Sequence, residues 1–171
     1  MTRRLLSLAL ILALLTLTAP ASAEEEARIS LPEISFADQY GRVWTNADFE
    51  GKVVFLNFWT TWCPWCVREM PDIEALYHEL GENEGDVLIF GIDTPDVLDN
   101  VDLAGITAFL EENGFTYPTL IDPEARLCGW LGIGAFPTTF IIRPDGTILG
   151  YLAGAIGIDT MRAIIDMGRT E

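Results

Sequence analysis

The chain has 171 residues, half of them hydrophobic, so it is long enough to bury a substantial core. Its formal net charge is −16 at pH 7, which disfavours nucleic acid and anionic membrane surfaces as partners. The chain has three cysteines and one histidine. A structural zinc site needs four ligands, and the lack of a second cysteine pair makes zinc a poor explanation for the cysteines.

The first 23 residues have the three parts of a secretory signal peptide. Arg3 and Arg4 precede an apolar run over 5–17, and a small-residue Ala-Ser-Ala step at 21–23 offers a cleavage site. The apolar run is shorter than the roughly 20 residues of a membrane-spanning helix. We therefore predict a soluble, periplasmic or otherwise exported protein, with residues 24–171 as a single domain. An uncleaved N-terminal membrane anchor is the alternative.

Apolar patterning predicts an alternation of strands and helices along the mature chain. Residues 33–44 indicate a small N-terminal hairpin, and a nearly continuous apolar run over 53–59 is typical of a buried strand. Helical spacing follows over 63–80, and residues 87–92 indicate a second buried strand. This order predicts an α/β fold with a mixed central sheet. The remaining predicted elements are a helix over 106–113 ending at Gly114, an extended piece over 117–122, a short helix over 123–131, a hairpin with strands over 138–142 and 147–151, and a helix over 158–167.

A Cys-x-x-Cys motif lies where the first buried strand gives way to a helix. At a helix N-terminus, unpaired backbone N–H groups and the helix dipole stabilise a thiolate, which predicts Cys63 as an exposed nucleophile. Cys66, one turn further and shielded, is placed to resolve a mixed disulfide at Cys63. Pro64 fits the first turn, where no hydrogen bond is lost. Trp62 and Trp65 are expected to surround the reactive sulfur with flat apolar surface.

Two separated motifs resemble those of the exported TlpA/ResA-type branch of thioredoxin-like proteins. The segment 57–71 reads N-F-W-T-T-W-C-P-W-C-V-R-E-M-P, and a P-T-T-F run at 137–140 is followed by a P-D-G turn. The resemblance covers nearly the whole mature chain and implies a thioredoxin-like fold, with helices flanking the central sheet. It also implies that the Phe136-Pro137 bond is cis, in a loop that lies against the dithiol and pairs with an extended stretch of the client.

Asn57 departs from thioredoxin itself, which carries a buried acid at the matching position. An amide cannot accept a proton from Cys66, so another base or the solvent must do so. Glu69, one helical turn from Cys66, and Asp93, at the end of its strand, are candidates. The favoured interpretation of Glu69 is nevertheless an exposed helix carboxylate.

The resemblance implies a thiol-disulfide oxidoreductase that acts on protein clients with cysteine pairs, and it favours a reductase. Reduction in an exported compartment requires a membrane-bound or exported thiol-disulfide electron donor, because no reducing buffer is present there. A disulfide oxidase or isomerase stays open, since Cys-Pro-x-Cys also occurs in oxidising relatives. We expect a monomer. We expect no cofactor, and nucleotide binding in particular is disfavoured because the glycine-rich stretch 150–157 lacks a phosphate-loop lysine.

Two further functions are weaker alternatives. Thr60, three residues before Cys63, is typical of a thiol peroxidase, but Leu56 stands where that family has proline. A copper chaperone would use Cys63 and Cys66 as soft Cu(I) ligands, yet no His or Met clearly converges on the pair. Cys128 is interpreted as a buried small hydrophobe, and His78 as a solvated surface imidazole.

Overall fold

The structure is a computed structural model that describes residues 28–95 and 97–170. The predicted signal peptide and its cleavage site lie outside the described residues. No helix within these two ranges has the length and apolar character that are needed to cross a membrane.

A small antiparallel hairpin opens the described chain, as predicted. Its strands are β1 (Ser35–Ala37) and β2 (Val43–Thr45). In the turn between them, the Asp38 carboxylate accepts hydrogen bonds from the backbone N–H groups of Tyr40 and Arg42, at 2.9 and 3.0 Å. A one-turn helix, α1 (Asn46–Phe49), follows directly and was not predicted.

A five-stranded mixed sheet forms the centre of the fold. Its first two strands along the chain are β3 (Val53–Phe58) and β4 (Val87–Asp93), which run parallel to each other and are buried at every residue. β5 (Thr119–Ile121) continues the parallel part, whereas β6 (Thr138–Ile142) and β7 (Ile148–Ala153) add antiparallel strands. The strand order is β5-β4-β3-β6-β7. The buried runs at β3 and β4 thus occupy the middle of the sheet, as their continuous hydrophobicity predicted.

Helices cover both faces of this sheet. Val53 and Phe55 of β3 point into a core shared with α2 (Pro64–Glu79), α3 (Leu103–Asn113) and α5 (Ile158–Arg169). Val54 and Leu56 point to the opposite face, where β2, α1 and α4 (Arg126–Trp130) pack. The predicted α/β fold with a central mixed sheet, flanking helices and an N-terminal hairpin is confirmed.

Candidate active site

The two cysteines of the motif lie at the N-terminus of α2, directly beyond the carboxyl end of β3. Cys63 is the N-cap residue and Pro64 is the first helical residue. The Cys63 backbone N–H donates to the Thr60 carbonyl at 3.2 Å, which closes the turn between strand and helix. Cys63 and Cys66 form a disulfide with their Cα atoms 5.3 Å apart. The Cys63 sulfur also accepts a hydrogen bond from the Cys66 backbone N–H at 3.2 Å.

The two cysteines differ less in exposure than the sequence suggested. Cys66 is fully buried, as predicted, but Cys63 is only 3% exposed in this disulfide form. The prediction of an exposed Cys63 is therefore wrong for the oxidised protein. The physical reason is that Cys63 belongs to the same buried cluster as Trp59, and half-buried Phe136 and Ile156 pack against that cluster.

Aromatic side chains and a proline loop surround the disulfide. Trp62 and Trp65 are 60% and 58% exposed, so each presents an apolar ring to solvent beside the cysteines. The Trp62 ring meets Phe136 edge to face, with ring centroids 6.1 Å apart. The Phe136-Pro137 peptide bond is cis, as the resemblance implied. The motif and the proline loop, far apart in sequence, thus meet at one site.

A groove of about 560 Å³ lies between α2 and the proline loop, and Trp65, which lies between Pro64 and Cys66 in the motif, forms part of its wall. Its walls combine apolar and charged groups, because Arg68 and Asp72 of α2 face the turn after β7. The Arg68 guanidinium lies 5.4 Å from the centre of the Trp65 ring, within cation–π range. The lining residues are Trp65, Arg68, Glu69, Asp72, Phe136, Pro137 and the segment Gly154, Ala155, Ile156 and Gly157.

Glu69 is a buried acid, and its interpretation as an exposed helix carboxylate is wrong. It is 2% exposed and accepts two hydrogen bonds, from the Asn57 amide at 2.7 Å and from the Ile156 backbone N–H at 3.0 Å. Asn57 is fully buried and also donates to the Thr139 hydroxyl at 3.0 Å. Glu69 is three residues after Cys66, on the same helix face, and that spacing was the signal for its burial.

The environment of Glu69 shifts the pKa of its carboxyl into the neutral range. Burial raises the pKa of Glu69 to about 7, although the hydrogen bonds from Ile156 and Asn57 act in the opposite direction and nearby Asp72 adds to the rise. A carboxyl with a pKa in this range can both accept and release a proton near pH 7. Glu69 therefore has the proton-transfer capacity that the amide at Asn57 lacks.

Asp93, the other candidate base, lies at the carboxyl end of β4 and is also buried, at 1% exposure. Burial, together with the neighbouring Asp99, raises the pKa of Asp93 to about 9. A group that stays protonated at neutral pH is not a base there. Asp99 was not singled out from the sequence, because it lies in a loop without periodic pattern. Its carboxylate accepts hydrogen bonds from the backbone N–H and hydroxyl of Thr61, two residues before Cys63.

Two residues set aside in the sequence lie where they were expected. Cys128 is buried in α4, and burial raises the pKa of its thiol to about 11. His78 is half-exposed late in α2, between Glu74 and Glu82. Across residues 28–95 and 97–170, no three His, Cys, Asp or Glu side chains are grouped so that they could hold a metal ion.

The mixed sheet, the dithiol at the start of a helix and the facing cis-proline define a thioredoxin-like thiol-disulfide site. The chain belongs to the AhpC/TSA family, which matches residues 28–150. It is 33% identical to the thiol-disulfide oxidoreductase ResA of Geobacillus thermodenitrificans over 125 residues, which span 73% of this chain and 68% of that protein. The protein is accordingly a thiol-disulfide oxidoreductase, and the predicted TlpA/ResA-type resemblance is confirmed.

Solved structures support the same fold. The exposed lipoprotein thioredoxin of Streptococcus pneumoniae superposes with a TM-score of 0.71 at 23% identity, covering 80% of this chain and 99% of that one. StoA from Bacillus subtilis superposes with a TM-score of 0.68 at 21% identity, covering 78% and 96%. At these identities the likeness establishes the fold.

Proposed function

We propose that the protein is an exported reductase of protein disulfides, with Cys63 as its nucleophile and Cys66 as its resolving thiol. The observation that carries this assignment is the position of the Cys63 sulfur at the N-cap of α2, where it accepts the Cys66 backbone N–H. A thiolate at that position is stabilised by the N–H group and by the helix dipole. Cys66 is fully buried one turn inside the helix, so its reaction partner is the Cys63 sulfur of the mixed disulfide and not a client in solution.

The reaction proceeds by two exchanges. The Cys63 thiolate attacks one sulfur of the client disulfide, so that a mixed disulfide forms and the other client sulfur leaves as a thiolate, which takes up a proton. Cys66 then loses its proton and attacks the Cys63 sulfur, which releases the second client thiol. The client gains two electrons, and the protein is left with the Cys63–Cys66 disulfide. An external thiol-disulfide donor must reduce this disulfide before the next turnover.

Glu69 accepts the proton of Cys66 in the second exchange. Support comes from its place on the same helix face one turn away and from a pKa of about 7, which matches the working range of a general base. Asn57 is a positioning residue for this step. Its N–H group donates to Glu69, while its buried carbonyl oxygen has no hydrogen-bond partner among the described residues. An amide rotation would let that oxygen accept the proton of neutral Glu69, so Asn57 serves both protonation states.

The groove between α2 and the proline loop is the seat of the client. Trp65 and Phe136 offer apolar surface, while Arg68 and Asp72 offer one charge of each sign. An extended client segment that carries a cysteine binds in this groove, and the adjacent cis-proline loop supplies backbone for pairing. Clients therefore include proteins whose cysteine pairs lie in accessible, extended segments.

The charges near the dithiol support reduction rather than oxidation. A strongly oxidising dithiol requires a reduced form that is stabilised as a thiolate. Here Asp72 lines the groove, Asp99 contacts the segment before Cys63, and Glu69 adds negative charge above about pH 7, whereas Arg68 is the one basic residue in the groove lining. Negative charge disfavours the thiolate and so favours the disulfide form. Measurement of the reduction potential tests the direction, and we expect a value more negative than about −180 mV. A value near −120 mV, the level of a dedicated oxidant, would contradict it.

Substitution of single cysteines tests the roles of the thiols. Cys66→Ala is expected to form stable mixed disulfides with clients, because the resolving thiol is missing, whereas Cys63→Ala forms none. Cys128→Ala is the matched control and should keep near-normal turnover, since burial holds the Cys128 thiol protonated. Trapped species are detected by non-reducing electrophoresis and mass spectrometry. Trapping through Cys63→Ala, or loss of turnover in Cys128→Ala, would show that the roles are assigned wrongly.

A further inference from the structure

The loop that follows β4 holds the segment that leads into Cys63. The Asp99 carboxylate accepts the Thr61 backbone N–H at 2.6 Å and the Thr61 hydroxyl at 2.5 Å. The neighbouring Leu98 carbonyl accepts the indole N–H of Trp62 at 2.9 Å. Three hydrogen bonds from one loop thus act on the two residues before the N-cap cysteine.

This loop has its own internal support. The backbone N–H groups of Leu98 and Asp99 both donate to the Thr94 carbonyl, at 3.1 and 3.3 Å. Asp99 is 2% exposed, although its neighbours Leu98 and Asn100 are exposed. A carboxylate without hydrogen-bond partners would be costly to bury this deeply. The two short hydrogen bonds to Thr61 therefore stabilise Asp99 in its buried position.

Asp93 is the second acid of the same region. It is 1% exposed and lies at the end of β4, and neither of its carboxyl oxygens has a hydrogen-bond partner among the described residues. Two adjacent buried carboxyl groups cannot both ionise without strong repulsion, whereas a proton on one of them can bridge to the other. Asp99 already accepts from Thr61, so the geometry leaves Asp93 as the group that carries the proton.

We propose that Asp93 and Asp99 share one proton and that this acid pair is a positioning device for exchange at Cys63, acting through Thr61. Protonated Asp93 donates a hydrogen bond to the Asp99 carboxylate. This bond fixes the orientation in which Asp99 accepts the hydrogen bonds of Thr61. When Asp93 ionises, repulsion between the two carboxylates weakens the hydrogen bonds between Asp99 and Thr61. The inference rests on the proposed role of Cys63 as the nucleophile.

The electrostatics agree with this arrangement. Burial raises the pKa of Asp93 to about 9, and the neighbouring Asp99 carboxylate acts in the same direction. Within the described residues, Asp99 is the one charged side chain that shifts this pKa, and no basic side chain lowers it. The pair therefore keeps its proton throughout the neutral range and loses it in the alkaline range.

Asp93→Asn separates this proposal from a purely structural role. The asparagine amide donates to Asp99 at every pH, so it imitates protonated Asp93 permanently. Asp99→Asn instead removes the charged acceptor of Thr61. Asp102→Asn is the matched control, because Asp102 is an exposed aspartate just beyond the same loop, where it accepts from the Gly105 backbone N–H.

Two readouts follow the pair from pH 6 to pH 10. The first is the Thr61 amide proton resonance in the oxidised protein, which reports the hydrogen bond to Asp99. We expect it to shift with a midpoint near pH 9 in the wild type and in Asp102→Asn, to stay constant in Asp93→Asn, and to lie upfield at all pH values in Asp99→Asn. The second is the rate of client disulfide reduction.

The rate of client disulfide reduction by the wild type, divided by the rate for Asp93→Asn, should be near one at pH 7. This ratio should fall about five-fold by pH 10, the effect of one weakened hydrogen bond. Asp99→Asn should be slower by a similar factor already at pH 7, with folding checked by thermal melting. A Thr61 resonance that ignores both pH and Asp99→Asn overturns the proposal, and so does a rate ratio that stays constant to pH 10. If neither the wild type nor any variant reduces the client, the proposed role of Cys63 as the nucleophile is wrong. The Thr61 amide resonance then still decides whether Asp93 and Asp99 share a proton.

Discussion

At the scale of single residues, Glu69 combines burial with a function that needs a proton. Its carboxyl is almost entirely buried and accepts two hydrogen bonds, so neither protonation state is strongly preferred near pH 7. Such a balance suits a group that exchanges a proton with a neighbouring side chain. Cys66, one turn earlier on the same face of α2, is that group in the proposed reaction.

Glu69→Gln should slow the release of the mixed disulfide while leaving its formation almost unchanged. The glutamine keeps the volume but cannot take the proton of Cys66, so release is expected to fall about ten- to a hundred-fold at pH 7.5. Rapid-mixing kinetics with a fluorescent client disulfide separate the two steps. Glu79→Gln is the control, because Glu79 is an exposed acid on the same helix. Equal effects on both steps would remove Glu69 from the proton transfer.

The sequence was informative about residues whose role is local and uninformative about those fixed by distant contacts. The N-cap position of Cys63 follows from a strand, a cysteine and a proline in succession, all within a few residues. The burial of Glu69 depends on Asn57 from β3 and Ile156 from the turn after β7. In the sequence, a glutamate next to Arg68 is typical of a solvated helix face. Its burial becomes evident only in the fold, which brings Asn57 and Ile156 to it.

At the scale of elements, α5 shows how closely a helix lies on the sheet. Gly168 is buried near the end of α5, and a Cβ atom built on it would be 2.9 Å from a methyl carbon of Val53 and 3.0 Å from one of Ile141. Side chains on β3 and β6 therefore require glycine at this position. The contact is independent of any unusual backbone angle, because Gly168 has an ordinary helical conformation.

Gly168→Ala should lower the free energy of unfolding by about 1–2 kcal/mol, because overpacking outweighs the higher helix propensity of alanine. Gly129→Ala in α4 is the matched control. Nothing lies within 4 Å of the Cβ built there, so that variant should be more stable by up to about 1 kcal/mol. Urea denaturation of both variants measures the difference. A stabilised Gly168→Ala protein would mean that α5 lies further from the sheet.

Element boundaries were predictable where capping signals are strong. α3 ends at Gly114 in a left-handed conformation, as predicted, but it begins at Leu103 because the Asp102 side chain caps it through Gly105. The missed helix α1 has only one turn, too short for a periodic pattern. Thr45 and Asp48 form a capping box there, and this spacing was the available signal.

At the scale of the whole molecule, the acidic groups fall into two sets with opposite effects on stability. Asp48 and Asp86, which have hydrogen-bonded or ion-paired partners outside the core, have lowered pKa values, and they stabilise the fold above the pKa of the unfolded chain. Glu69 and Asp93 have raised pKa values, so their contribution is fully present below their unfolded values and is lost as the pH rises through about 7 and about 9. The two sets together place maximal stability near roughly pH 5.

The free energy of unfolding should consequently fall between pH 5 and pH 9, by at least about 3 kcal/mol, since one pKa unit corresponds to about 1.4 kcal/mol. The double variant Glu69→Gln, Asp93→Asn carries no ionisable group at either position. At pH 5 its neutral amides imitate the protonated acids, and at pH 9 no buried charge appears, so its stability should decline by less than half as much. Chemical denaturation of the oxidised proteins at both pH values measures this difference, with Glu79→Gln, Asp102→Asn as a double control at exposed sites. Equal stability of the wild type at pH 5 and pH 9 would show that Glu69 and Asp93 are ionised in the folded protein at neutral pH, against the environment that encloses them.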